Sequence, residues 1–274
     1  MPTPPTTRTG RQVRERILLY GDSDSGKTYN FLKVAEWHQR RGSDAVFWGL
    51  CSPGNEWDRL LMPGAEFEHL ENVRPFDVED MQDYFDVYDG EIRPHAKPED
   101  WLAIDVLDAA WQAAQDEYAK REWKGRDLGS KWAAEGGQYP ITGWEWGSIN
   151  ARYRAFIQNR VLRFPGHVMA LAWEKELQEA AKSSGKGGED QDVLDVFGLV
   201  GRKPAGQKDD YKRFSTLLHL AKSADGKHVV RTARDRQRPK LGRIVERGKA
   251  VSHYPVEVGD FFMTYLVKVA KWRP

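Results

Sequence analysis

Apolar positions along the chain fall into short blocks whose spacing alternates between two periods. Residues 16–20, Arg-Ile-Leu-Leu-Tyr, form an unbroken apolar run that stops at Gly21, as a strand buried on both faces would. Residues 27–41 follow with an apolar stripe at helical spacing through Phe31, Leu32, Val34, Ala35 and Trp37. The pattern predicts further strands at 45–50, within 67–76, at 101–105 and at 167–173. It predicts helices at 78–88 with Asp77 as cap, at 106–124, at 144–164 and near 259–272. Residues 214–220 and 228–233 flank Ala-Asp-Gly and read as a hairpin. Strands alternating with helices predict a largely parallel sheet, with no internal repeat.

The remaining segments read as connections: a polar arm at 1–10, a Gly-rich loop at 125–143 and a polar loop at 183–192. The expectation is therefore a disordered arm over 1–10 followed by one domain over 11–274. At 40% hydrophobic and 30% charged, the 274 residues can bury a core and stay soluble. No apolar run reaches the roughly 18 residues of a membrane span, so the sequence predicts a cytosolic protein with no membrane partner. Cys51 stands alone, which excludes an internal disulfide or a Cys-based zinc site, and the seven histidines show no ligand spacing.

A net charge of +1 hides an asymmetry. Residues 66–100 carry twelve Asp/Glu against three Lys/Arg, and residues 200–249 carry fifteen Lys/Arg against five Asp/Glu. Two solvated faces of opposite sign account for this, and so does a basic surface facing nucleic acid or a neighbouring subunit.

The sharpest chemical signal is Gly21-Asp22-Ser23-Asp24-Ser25-Gly26-Lys27-Thr28, which satisfies the full phosphate-binding loop pattern between a strand and a helix. Glycines permit a tight turn whose amides converge on phosphate oxygens, and the following helix adds its positive end. Lys27 is the candidate for the β- and γ-phosphates, and the Thr28 hydroxyl for Mg²⁺. Asp22 and Asp24 are unusual beside a polyphosphate and are expected to point outward, with Asp22 open to a metal or a basic partner. Asp105 ends the strand Trp-Leu-Ala-Ile-Asp and is the candidate second metal carboxylate. Asp108 reads as surface or a helper. Two glutamates follow strand ends and are candidates to orient the attacking water, Glu56 and Glu174.

With these motifs in place, the chain resembles the RecA-like P-loop ATPases, and within them the small phage-encoded, AAA-like branch linked to single-strand annealing and recombination. The resemblance rests on the loop motif, Leu-Ala-Ile-Asp, Gly-Trp-Glu-Trp-Gly-Ser-Ile-Asn, Val-Met-Ala-Leu-Ala-Trp-Glu and residues 232–240. It implies an α/β fold: a mostly parallel sheet flanked by helices, closed by a C-terminal β-hairpin. In that sheet the 167–173 strand lies between the loop strand and the Asp105 strand, with Glu174 beside the γ-phosphate. It further implies ATP and Mg²⁺ as ligands, DNA (single-stranded) as partner, and a homo-oligomer with nucleotide at subunit interfaces. Arg234, Arg236, Arg238 and Lys240 become candidate cations for a neighbour's nucleotide. For a phage protein the location is the host cytoplasm. The family's sensor strand often ends in His or Gln, where this chain has Trp173.

The same basic cluster could grip DNA phosphates, and residues 183–192 and 198–207 stand where DNA loops would follow the sensor strand. Phe197 and Tyr211 are the only aromatics near enough to stack bases there. Trp101, Trp111, Trp146 and Trp173 read as core. A genome-packaging or translocating motor, a small-molecule P-loop kinase and a nucleotide-gated assembly protein share the motif and remain rival functions.

Overall fold

The computed structural model describes residues 13–54, 56–122, 143–177, 191–198, 200–222 and 228–236, and the short strands at 244–246, 249–251 and 253–255. The expected arm at 1–10, most of the loops at 125–143 and 183–192, the helix at 259–272, and Arg238, Lys240 and Arg243 lie outside the described residues.

The apolar run after Glu15 becomes β1 (Arg16–Gly21) and leads through the Gly-rich turn into α1 (Lys27–Arg40). Next come β2 (Phe47–Cys51), α2 (Trp57–Leu61), β3 (Val73–Asp77), α3 (Met81–Asp86) and β4 (Trp101–Asp105). The chain continues through α4 (Leu107–Glu122), α5 (Gly143–Ile157), β5 (His167–Glu176), α6 (Gln191–Phe197) and β6 (Arg202–Pro204). The last described elements are β7 (Thr216–Lys222), β8 (His228–Asp235), β9 (Ile244–Glu246), β10 (Lys249–Val251) and β11 (His253–Pro255).

The main sheet has the order β11-β8-β7-β1-β5-β4-β2-β3, with β6 paired to the end of β5. From β7 to β3 every neighbour runs parallel, while β8 returns antiparallel on β7 as the expected hairpin. Strand β5 lies between β1 and β4, the order that the RecA-like resemblance implies. The architecture is α/β, with helices on both faces of a mostly parallel sheet.

Period-two alternation divides the core between the faces. Ile17 and Leu19 of β1 point to a cluster with Phe31, Leu32 and Ala35 of α1; Leu18 and Tyr20 point to a cluster with α3, α4 and α5. The amino edge is tied by polar groups. Buried Asp100 accepts from the Val46 amide at 2.9 Å, the Lys97 amide at 2.9 Å and the Trp48 indole at 3.2 Å. Arg16 donates to the carbonyls of Phe164 and Gly166, both at 2.7 Å, fastening β1 to the turn before β5. Burial lowers that guanidinium to about 10.

Several boundaries differ from the sequence reading. The helix expected at 78–88 starts at Met81, because Asp80 rather than Asp77 supplies the cap: its side chain accepts from the amides of Gln82 and Asp83, and Asp83 reciprocates. A π-helical turn then carries the chain to Ile92. The strand expected within 67–76 is Val73–Asp77, and the helix expected at 144–164 runs Gly143–Ile157. Residues 198–207, expected to supply a DNA loop, hold β6, paired antiparallel to the end of β5. Phe197 and Tyr211 are core residues, 1% and 5% exposed, and cannot stack bases.

Asp210 is buried in this frame. The Tyr153 hydroxyl donates to its Oδ2 at 2.6 Å, and Arg213 Nε lies 3.4 Å from Oδ1. Desolvation outweighs both and raises the carboxyl to about 7. The fold thus favours the protonated acid: its stabilisation is complete below the unfolded value near 4 and is lost as pH rises through 7. Asp210→Asn, which keeps an acceptor for Tyr153, is expected to raise the melting temperature more at pH 8 than at pH 5, by about 2–4 °C per kcal/mol recovered. Thermal unfolding at both pH values checks this; an equal or reversed gain contradicts it.

Candidate functional site

The loop leaves β1 at Gly21 and turns through Asp24 (φ 55°) and Gly26 (φ 86°). Gly21 is required by space: a Cβ there would lie 2.4 Å from the Leu220 carbonyl oxygen and 2.7 Å from Ser25 Oγ. Helix α1 starts with no side-chain cap and no acid in its first turn. Its first amides and its positive end therefore face the loop unmatched by any side-chain oxygen of its own. His38 and Arg40 occupy the last turn, where cations suit the opposite end of the dipole.

Lys27 is 7% exposed and folds back into the loop. Its ammonium donates to the carbonyls of Gly21 at 3.1 Å and Asp22 at 2.8 Å, and lies 4.6 Å from the Trp173 ring centroid. Burial lowers its pKa, against the pull of Asp105, Glu56, Asp108 and Asp22. The Thr28 hydroxyl donates to Asp105 Oδ2 at 2.6 Å, and the Trp57 indole donates to the same oxygen at 2.8 Å. Burial pushes the Asp105 carboxyl up; the bonds from Thr28 and Trp57 and the charge of Lys27 oppose it. Ser52 closes the floor: its amide and hydroxyl donate to the Asp105 carbonyl at 2.6 and 2.9 Å.

These groups surround a cavity of about 180 Å³, lined by residues 23–28, Ser52, Pro53, Gly54, Glu56, Asp105, Val106 and Trp173. The predicted loop residues Ser23, Asp24, Ser25, Gly26, Lys27 and Thr28 thus meet Glu56 and Asp105 in one place. Gly21 contributes its carbonyl to Lys27. Asp22 turns outward, its Oδ1 accepting from the Ser23 amide at 2.8 Å, whereas Asp24 lies on the cavity wall.

The donor set suits a metal-bound phosphate. A hydroxyl that gives its proton to a carboxylate keeps lone pairs for a hard cation, and oxygen ligands are what Mg²⁺ takes. The glycine cradle, the uncapped helix and Lys27 fit the phosphates.

Other expected residues lie elsewhere. Glu174 is not part of the cavity lining. It pairs with His219 of β7 at 2.5 Å and lies 3.5 Å from Arg202 of β6. Strand parity explains this: Met169 and Leu171 belong to the α1 face, Trp173 continues that face, and Glu174 points to the other. Arg234 and Arg236 sit at the amino edge of the sheet, because β8 runs antiparallel to β7. Arg234 donates to the carbonyls of Tyr211 and Phe214; Arg236 is exposed and donates to the Lys212 carbonyl at 3.1 Å. Trp101 is fully buried, and Trp111 and Trp146 stack at 6.0 Å. Trp173 departs from its expected core role: it is 40% exposed on the cavity wall. Trp57 and Ser52 escaped the sequence reading, while half-buried Asp108, read as surface or a helper, accepts the Trp173 amide at 3.1 Å. Among the described residues, no helix is long and apolar enough to cross a membrane.

No family model and no curated protein matches the chain. Among solved structures it is similar to the crystal structure of the RadB recombinase, with 15% identity and a TM-score of 0.44, covering 84% of this chain and 86% of that one. The fold assignment rests on the strand order itself.

An ionised Asp105 is held at a cost, since burial raises its pKa. Asp105→Asn keeps an oxygen for Thr28 and Trp57 without the charge. The nucleotide-free variant is expected to melt at or a few degrees above the unaltered protein, by roughly 2–4 °C per kcal/mol. Calorimetric unfolding tests this, and a clear drop would count against it.

Proposed function

We propose that the chain binds ATP with Mg²⁺ in this cavity and hydrolyses it, acting on DNA in phage-type recombination, repair or replication. The observation that carries the ATP site is the Thr28–Asp105 hydrogen bond beside an ammonium held inside the loop. The DNA partner rests on the resemblance and on the basic character of residues 200–249.

Each residue has a definite task in this reading. The loop amides and the first turn of α1 take phosphate oxygens. A phosphate offers Lys27 a full charge in place of two carbonyl dipoles, so the ammonium changes partners. Thr28, its hydroxyl donating to Asp105, would offer its lone pairs to the metal, and Asp105 would complete the metal's carboxylate side. Held there, Mg²⁺ would neutralise phosphate charge. Glu56, half-buried on the cavity wall, accepts the proton of the attacking water. Glu174, engaged by His219 and Arg202, ties β5 to β6 and β7. In a homo-oligomer with nucleotide at its interfaces, exposed Arg236 is, among the described residues of the cluster, a cation available to a neighbour's phosphates, while Arg234 is held by backbone carbonyls.

Lys27→Ala is expected to abolish turnover and weaken nucleotide binding. Glu56→Gln is expected to keep binding and lower kcat by about 10²–10⁴. ATPase rates with no DNA, single strands and duplex test the partner: stimulation by single strands supports the reading. Stimulation by duplex alone points to a translocating motor, and phosphoryl transfer to a small molecule with little free hydrolysis to a kinase.

A further inference from the structure

Two donors reach one oxygen of Asp105, and only one of them belongs to the phosphate-binding loop. The other is the indole of Trp57, the first residue of α2, which is fully buried. Strand β2 makes room for it. A Cβ at Gly49 would lie 2.8 Å from the far edge of the ring, so any larger residue there would displace the indole. The ring also packs on Phe31 of α1 at 5.5 Å. Trp57 therefore touches the three elements that frame the cavity floor.

From this geometry we infer that Trp57 is a positioning residue for the metal carboxylate, an inference that rests on the ATP-site reading above. A single hydrogen bond from Thr28 would leave the Asp105 carboxylate free to turn about its Cβ–Cγ bond. A second donor on the same oxygen fixes the plane. Outer groups that orient a metal-site carboxylate commonly matter tenfold or more to metal affinity. The same side chain sets the candidate base. Glu56 immediately precedes Trp57 at the start of α2, so seating the indole also seats Glu56 on the cavity wall. The structure thus assigns one buried ring to the alignment of both acids, through its N–H for Asp105 and through its anchorage of α2 for Glu56.

The test separates the N–H from the bulk of the ring. Trp57→Phe removes the donor, and β-(3-benzothienyl)alanine at position 57 keeps the ring's shape with sulfur in place of N–H. Calorimetry measures ADP affinity in each protein with and without Mg²⁺. Affinity without Mg²⁺ is expected to stay at the unaltered level, whereas the gain on adding Mg²⁺ falls about tenfold in both variants. The Trp57 indole N–H resonance, identified by its loss in Trp57→Phe, is expected to shift when Mg²⁺ joins the nucleotide complex. An unchanged Mg²⁺ gain in the benzothienyl variant overturns the inference while leaving the ATP site intact. Absence of Mg²⁺-dependent nucleotide binding by the unaltered protein overturns the ATP-site reading, and this inference with it.

Discussion

A helix that begins without a cap, set against a buried carboxylate two strands away, is the constraint around which the rest of the chain is arranged. The first turn of α1 presents amides, an ammonium and a hydroxyl, and Asp105 is the acceptor that fixes the hydroxyl. Neither half is stable company for an empty apolar interior: uncapped amides and a desolvated carboxylate both cost free energy. Their mutual arrangement lowers that cost in part. The remainder is the reserve from which an anion and a cation would draw binding energy.

Sheet topology makes this meeting possible. Strand β5 separates β1 from β4, and register places Asp105 level with Leu171 and Gly21 level with Trp173. Strand β5 therefore reaches two residues past Asp105 before it stands beside the loop. The residue there must lie on the same face as Leu171, because side chains alternate along a strand. Trp173 is that residue, and its ring fills the space under the Lys27 ammonium. Its own amide is held by Asp108 and its carbonyl by the Ala205 amide, so it links α4 and the approach from β6 to the loop.

The loop, the strands and the strand-end position of Asp105 were legible in the sequence because each rests on local pattern: glycine spacing, apolar runs and an acid at a strand end; the strand order came only with the resemblance. What escaped was parity and reach. Glu174 and Trp173 are neighbours, and choosing the acid as the site residue followed chemical type where period two decides. The alternation Met169, Leu171, Trp173 held that information, but only once β1 and β5 are known to pair. Trp57 carried no signal of its own, since an aromatic residue after Pro-Gly-Asn-Glu reads as a packing residue. Only the absence of a side chain at Gly49, across the sheet face, explains why a ring fits there. The cap at Asp80 is a different case: Asp77 and Asp80 are both plausible starts, and the reciprocal bond with Asp83 selects the second.

Strand β4 is bracketed by two buried aspartates whose hydrogen bonds differ in kind. Asp100 uses both oxygens, one for the Val46 amide and the other for the Trp48 indole and the Lys97 amide. A carboxylate matched in that way has little left to offer a ligand. It serves instead to tie the amino edges of β2 and β4. At the other end of the same strand, Asp105 takes its side-chain donors among the described residues, Thr28 and Trp57, on Oδ2, on the wall of a cavity that also holds Lys27 and Glu56. An indole donates to each aspartate, so the donor type does not distinguish them. The distribution of donors over the two oxygens does. Concentrating them on one oxygen fixes the group's orientation and leaves the other oxygen open, an arrangement that would suit the proposed metal-binding role.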